Sequence, residues 1–263
     1  MRKIIFLAFG LLAFSFGAKA QVSSTTDRPG QAISARILSP DNWQYATGAE
    51  FQNWRNTLSD NSQYASTLWD NVIRYGFSPR GEFGLGLQVL SSQSEVDDSV
   101  FLNRGISRLS LKFRNNILFK SNRFKALAYE FDLGVPILNE VSNNTYFSPK
   151  FTLSSEFYVS ERITAVFNFG MLWDGIETEQ NYFQIINISY SLGRNWSCFA
   201  EYYANYQAGS YDGKWDAGFS FLQNRNCQID FSGGYDSNNQ NQYQWFLGIG
   251  VSWLKPHSRD YLD

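Results

Sequence analysis

The chain has 263 residues with 22 Lys and Arg against 24 Asp and Glu, a net charge near −2, so it lacks the basic footprint of a nucleic-acid partner. Aromatic residues make up 17% of the chain and charged residues another 17%, at a slightly negative mean hydropathy. A soluble domain would have to bury that aromatic surface, whereas a membrane barrel turns it toward lipid and keeps polar residues inside.

The chain opens with Met1-Arg2-Lys3, an apolar run from Ile4 to Phe16, and small residues at Ala18 and Ala20. This is the pattern of a secretory signal peptide, expected over 1–20 with cleavage after Ala20. The apolar run is shorter than the ~20 residues a spanning helix needs. The residue directly after the cleavage point is Gln21 and not Cys, which argues against lipoprotein processing. A polar N-terminal segment (21–41) is assigned to the periplasm, 42–254 to an outer-membrane barrel, and 255–263 to a periplasmic tail.

From Trp43 onward, segments of ~10 residues alternate apolar and polar side chains with period two, the mark of strands with one greasy face. In Glu82 to Leu90 one face carries Phe83, Leu85, Leu87 and Val89 against Glu82, Gly84, Gly86 and Gln88. Expected strands are 43–54, 68–77, 82–90, 106–119, 124–135, 147–159, 163–173, 182–192, 196–206, 214–222, 227–235 and 243–253. Each is about long enough to cross a bilayer at a tilt. Three positions break the alternation: Asn115 falls toward lipid, and Phe199 and Phe246 fall inward.

Every second connection is short: Ser78–Gly81, Lys120–Arg123, Ser160–Arg162, Gly193–Asn195 and Gln223–Asn226. The others, such as Ser91 to Arg104 and Pro136 to Tyr146, are longer and polar. That alternation predicts an all-β, transmembrane, antiparallel up-and-down β-barrel of about 12 strands, with turns on one side of the membrane and loops on the other. A β-sandwich would instead have Greek-key connections. Because lipid cannot satisfy a free sheet edge, first and last strands must meet. Cys198 and Cys227 fall on strands separated by a third, beyond disulfide reach, and are expected as free thiols on the lipid face.

The inward parity collects Glu50, Arg74, Glu82, Arg108, Lys112, Arg114, Glu130, Asp132, Lys150, Glu156, Glu201, Asp216 and Asp230. Read functionally, they form a charged constriction that selects solutes. Read structurally, they form a ladder of cross-strand ion pairs, with Lys112 and Arg114 beside Glu130 and Asp132. Aromatics near strand ends (Trp43, Trp54, Trp69, Tyr75, Trp173, Tyr182, Trp196, Tyr243 and Trp253) fit interfacial girdles. The single histidine, His257, follows the last strand, so no Ser/His pair can form on a wall, and no His/Cys metal cluster exists. An acid-only site at Glu130 and Asp132 is the remaining enzymatic reading. Neither an enzyme nor a cofactor is expected.

The stretch Thr25-Thr26-Asp27-Arg28-Pro29-Gly30-Gln31, followed by Ser39-Pro40 and by Trp43 to Phe51, resembles the start of the MetA-pathway of phenol degradation family of outer-membrane proteins. Members open with Thr-Asp-Arg-Pro, a Ser-Pro and a first strand with Glu-Thr-Gly; here Ala46-Thr47-Gly48 lacks the Glu, and Gly30 stands where an acid is common. The resemblance implies an outer-membrane channel or transporter, in some members linked to hydrophobic or aromatic compounds. Thr26, Asp27, Arg28 and Pro29 match the motif. Asp27 and Arg28 are expected to anchor the N-terminal segment at the periplasmic mouth or within the lumen. The expected function is passage of small, hydrophobic or aromatic solutes across an outer membrane, with membrane lipid and the solute as partners. The alternative is a non-conducting barrel that presents surface loops.

Overall fold

A computed structural model of the protein describes residues 30–56, 63–96, 99–119, 124–139, 141–176, 180–207, 209–236 and 242–256. The expected signal peptide, the Thr26–Pro29 motif and His257 lie outside the described residues, as do the side chains of Trp54 and Tyr243.

Twelve antiparallel strands form a closed barrel. They are β1 (Trp43–Asn56), β2 (Gln63–Ser78), β3 (Gly81–Val96), β4 (Ser99–Phe119), β5 (Phe124–Gly134), β8 (Ser148–Tyr158), β9 (Ile163–Trp173), β10 (Gln180–Ser191), β11 (Trp196–Gln207), β12 (Ser210–Asn224), β13 (Cys227–Asp236) and β14 (Gln242–Lys255). Neighbours in sequence are neighbours in space, and β1 pairs with β14 from Trp43↔Lys255 to Asn56↔Gln242. Between β5 and β8 the chain makes a separate hairpin, β6 (Ile137–Asn139) and β7 (Ser142–Asn144), inside the loop expected at Pro136 to Tyr146.

The other long loop is corrected. Ser91 to Arg104 is mostly strand, because β3 and β4 stay paired out to Val96↔Ser99. Beyond the bilayer no lipid demands a greasy face, so the polar run Ser91 to Glu95 continues the ladder without the alternation that marks a membrane strand.

The outer wall is apolar: Phe83, Leu85, Ile188, Phe219, Leu247 and Ile249 are all exposed there. Rings pair across strands near both ends, Trp43 with Tyr75 at 4.6 Å and Trp196 with Phe221 at 4.7 Å on the side of the tight turns, Tyr202 with Trp215 at 4.6 Å nearer the other. Polar groups on this face have local partners or sit at its rim. Asn71 Oδ1 accepts from the hydroxyls of Tyr45 and Thr47, both at 2.9 Å. Asn115 pairs with Gly81, the first residue of β3, so it sits at the rim rather than at mid-bilayer. Cys198 and Cys227 are free and half-buried.

Phe199 and Phe246 do face inward, and the reason lies across the strand. Phe199 is paired with Gly218, Phe246 with Gly234 and Phe183 with Gly170. In each pair the ring lies where a Cβ on the glycine would be. A flat ring over a bare backbone fills the inner surface without protruding far into the lumen.

Candidate functional site: a lumen threaded by its own N-terminal segment

The thirteen charged residues of inward parity all stand on the lumen side of the wall, and most are tied to one another. On β2–β5 they make a continuous ladder. Arg74 meets Glu82 at 3.0 Å; Arg114 meets Glu130 and, at 3.5 Å, Glu82. Lys112 meets Asp132 at 3.0 Å and Glu130 at 4.0 Å, and Arg108 meets Asp132 at 2.9 Å. Burial forces this arrangement, because a charge out of water needs an opposite charge and hydrogen bonds to be tolerated. Glu130 and Asp132 are therefore rungs between cations, which leaves neither carboxylate as an open acid or base.

Lys150 stands on β8 directly across from Asp132, with its Nζ 4.7 Å from the ring centre of Phe183. Glu156 holds Arg36 at 3.1 Å and Lys125 at 2.5 Å. Lys125 has outward parity in a regular strand; the register shift between Phe124 and Ala126 accompanies its turn toward Glu156.

Residues 30–38, which the sequence reading assigns to the periplasm, run through this lumen. The side chains of the wall bind their backbone. Glu201 accepts from the N–H of Gln31 at 2.6 Å and of Ala32 at 3.0 Å. Asn168 clasps Ile33 from both sides, accepting from its N–H and donating to its carbonyl, each at 2.8 Å. Arg114 donates to the Ser34 carbonyl at 3.4 Å, Asn116 to the Ala35 carbonyl at 3.2 Å, and Glu82 accepts from the Leu38 N–H at 2.8 Å. An extended segment away from water has no ladder of its own, so its peptide groups are satisfied by these side chains.

Room for the segment comes from small residues. Ala126 and Ala128, on the inner face of β5, cluster with Ala35, which has no exposed surface. The segment enters from the side of the tight turns through Ser39 to Asn42. Asp41 takes a left-handed φ of 64° there, and its N–H donates to the Gly76 carbonyl at 2.7 Å. A Cβ on Gly76 would strike the Ser39 carbonyl, so this approach requires glycine.

The remaining wall, β9–β14, differs in character. Ala32, Phe183 and Ile185 form an apolar cluster extended by Val166, Leu172 and Tyr203. Above the end of the segment a cavity of about 240 Å³ is bounded by Gln31, Glu50, Leu68, Tyr203, Lys214 and Phe246, among others. Glu201, Asp216 and Asp230 are buried on this side. Sequence reading gave the charges by parity alone. It did not give Asn116, Asn168 and Asn187, which are neutral and so carry no inward signature beyond parity.

The shape of the barrel is shared with solved structures. A COG4313 outer membrane channel from Pseudomonas putida F1 superposes with a TM-score of 0.66 at 12% identity, over 87% of this chain and 99% of that one. The NanC porin gives 0.54 at 5% identity, over 79% and 98%. A TodX monoaromatic hydrocarbon channel carrying the deltaS2 mutation gives 0.51 at 9%, over 84% and 91%. At these identities the likeness is one of fold, that of outer-membrane channels. No protein of curated function matches the sequence. A family model described as "Putative MetA-pathway of phenol degradation" matches residues 26–255, and the chain belongs to that family.

Proposed function

We propose that the protein is an outer-membrane channel for small solutes with a hydrophobic or aromatic body. The observation that carries this is the division of the lumen into two faces. The ion-paired ladder on β2–β5 offers a solute little beyond a rigid polar lining. The opposite wall presents Phe183, Ile185, Val166 and Tyr203, with Phe246 at the cavity above them. Ligand sites are mostly apolar with a few convergent polar groups, and Glu50, Lys214 and the Tyr203 side chain supply those groups here. One structural neighbour, TodX, is a monoaromatic hydrocarbon channel, which points the same way. Residues 30–38 occupy the lumen toward the tight turns, and in this reading passage requires that segment to leave or shift.

The test is single-channel current through the barrel lacking residues 21–38, with solutes added on the loop side. Benzyl alcohol is expected to interrupt the current for longer than a sugar alcohol of similar size. Equal interruption by both would remove the role given to the apolar wall.

The bound segment also favours a second reading, a non-conducting barrel whose lumen is permanently filled. The hydrogen bonds to residues 30–38 described above, with the Arg36–Glu156 ion pair, would hold such a filling in place. The two readings separate on whether the intact protein ever conducts.

A further inference from the structure

The ladder of charges on β2–β5 is tight at one end and open at the other. Toward the tight turns, Arg74 and Arg114 are 4% and 2% exposed and are enclosed by Glu82 and Glu130. Toward the loops, Lys112 and Arg108 rise to 23% and 24% exposure, and both converge on Asp132. The next strand carries the row on. Lys112 pairs in register with Asp132, Asp132 with Lys150, and Lys150 with Leu172. A cation, an acid, a second cation and an apolar residue thus stand side by side at one level of the wall.

Asp132 already takes Arg108 at 2.9 Å and Lys112 at 3.0 Å. Glu130, the other acid whose charge reaches Lys150, is held by Arg114. Among the described residues Lys150 makes no ion pair, although Asp132 stands directly across from it, and its half-buried ammonium rests on Phe183 instead. The charges of Lys112 and Arg108 reach it as well. An ammonium drawn out of water beside two other cations is unfavourable, and an anion brought to it relieves that strain.

Lys150 also borders the apolar wall. Leu172, beside it on β9, packs with Phe183 and Ile185, and Tyr203 extends that cluster. The clasp of Asn168 on Ile33 lies further along β9 toward the tight turns, so Lys150 is reached from the loop side before the bound segment is.

We propose that Lys150, with Arg108 and Lys112 beside it, binds the carboxylate of an amphipathic acid whose apolar body lies on Leu172, Phe183 and Tyr203. The preferred solutes are then acids with an aromatic or alicyclic body. A compact ammonium suits one carboxylate oxygen, and charge-assisted hydrogen bonds of this kind are the stronger ones. The inference rests on reading the lumen as a solute path, but binding at Lys150 needs no current to flow.

Calorimetric titration of the intact protein starting at Gln21, in nonionic detergent, tests it. Benzoate is the probe, benzyl alcohol its neutral counterpart and acetate its counterpart without the ring. Benzoate is expected to bind about tenfold more tightly than benzyl alcohol, the effect of one hydrogen bond between charged groups. It is also expected to bind more tightly than acetate. Lys150→Gln should abolish the advantage over benzyl alcohol, and Lys150→Arg should keep it. Undetectable benzoate binding, equal affinity for benzoate and benzyl alcohol, or a benzoate affinity unchanged in Lys150→Gln would overturn the proposal. Acetate bound as tightly as benzoate would overturn it too, by leaving a site for any small anion. Heat-modifiable gel mobility verifies that each variant folds. Should Lys150→Gln fail to fold, Phe183→Leu serves instead, and it should weaken benzoate while sparing acetate. Conductance of the shortened barrel decides the channel reading separately, so a silent barrel that binds benzoate and a conducting one that does not are told apart.

Discussion

Glu201 and Gln31 stand 170 positions apart in the chain and meet inside the barrel, where the Gln31 N–H donates to the Glu201 carboxylate over 2.6 Å. The neighbouring Ala32 N–H takes the second oxygen at 3.0 Å. One acid thus holds two consecutive peptide groups of a segment that carries no secondary structure of its own.

Replacing it should loosen that segment without removing the barrel. In Glu201→Gln one oxygen becomes an amide that cannot accept, and the charge assistance is lost. A hydrogen bond to a charged group contributes about 1.5–3 kcal/mol, so the fraction of time the segment spends released should rise by about tenfold or more. Limited proteolysis of the N-terminal region in folded protein measures this, and an unchanged cleavage rate would count against the geometry.

The ion-paired wall should respond asymmetrically to truncation. Arg114 is buried, bridges Glu130 and Glu82, and also holds the Ser34 carbonyl. Arg114→Ala leaves two buried acids short of a partner and should destabilise the barrel by about 3–5 kcal/mol in urea titrations from lipid vesicles. Lys112 is 23% exposed and shares its acids with Arg108 and Arg114, so Lys112→Ala should be milder by at least half.

Depth along a single strand gives a third expectation. Ile249 and Trp253 both face outward on β14, the first near its middle and the second near the end with the tight turns. An arginine on the lipid face is unfavourable by about 2–4 kcal/mol at the midplane and by about 0–1 kcal/mol near an interface. Ile249→Arg should therefore lower the unfolding free energy well beyond Trp253→Arg, and equal losses would mean that the strand is misplaced in the membrane.

The inner aromatics make a fourth. Phe246 covers the Gly234 backbone and bounds the cavity. Phe246→Ala should widen the conducting path of the segment-deleted barrel and shorten the dwell of aromatic blockers. An unaltered dwell time would detach this ring from solute contact.

The barrel itself was legible in the sequence because its determinants are local. A pleated strand in lipid must alternate with period two, and Pro79-Arg80 or Arg225-Asn226 between strands must turn within a few residues. What was not legible depends on residues far apart. Phe199 and Phe246 look misplaced until their cross-strand partners Gly218 and Gly234 are known. Lys125 reaches the lumen beside a register shift that no single-strand pattern reveals. The course of residues 30–38 is hidden most completely, since its peptide groups are answered by Glu82, Asn116, Asn168 and Glu201 rather than by any neighbour in sequence. The alanines at 126 and 128 were visible on the inner face of their strand, but nothing local said what their small size made room for.

The most direct test of an occluded channel is single-channel recording in a planar bilayer of the protein starting at Gln21 beside the same barrel lacking residues 21–38. The intact protein is expected to be mostly silent with brief openings, and the shortened barrel to conduct in large, steady steps. A shortened barrel that folds and remains silent would show that wall side chains alone close the lumen, and would contradict the channel assignment.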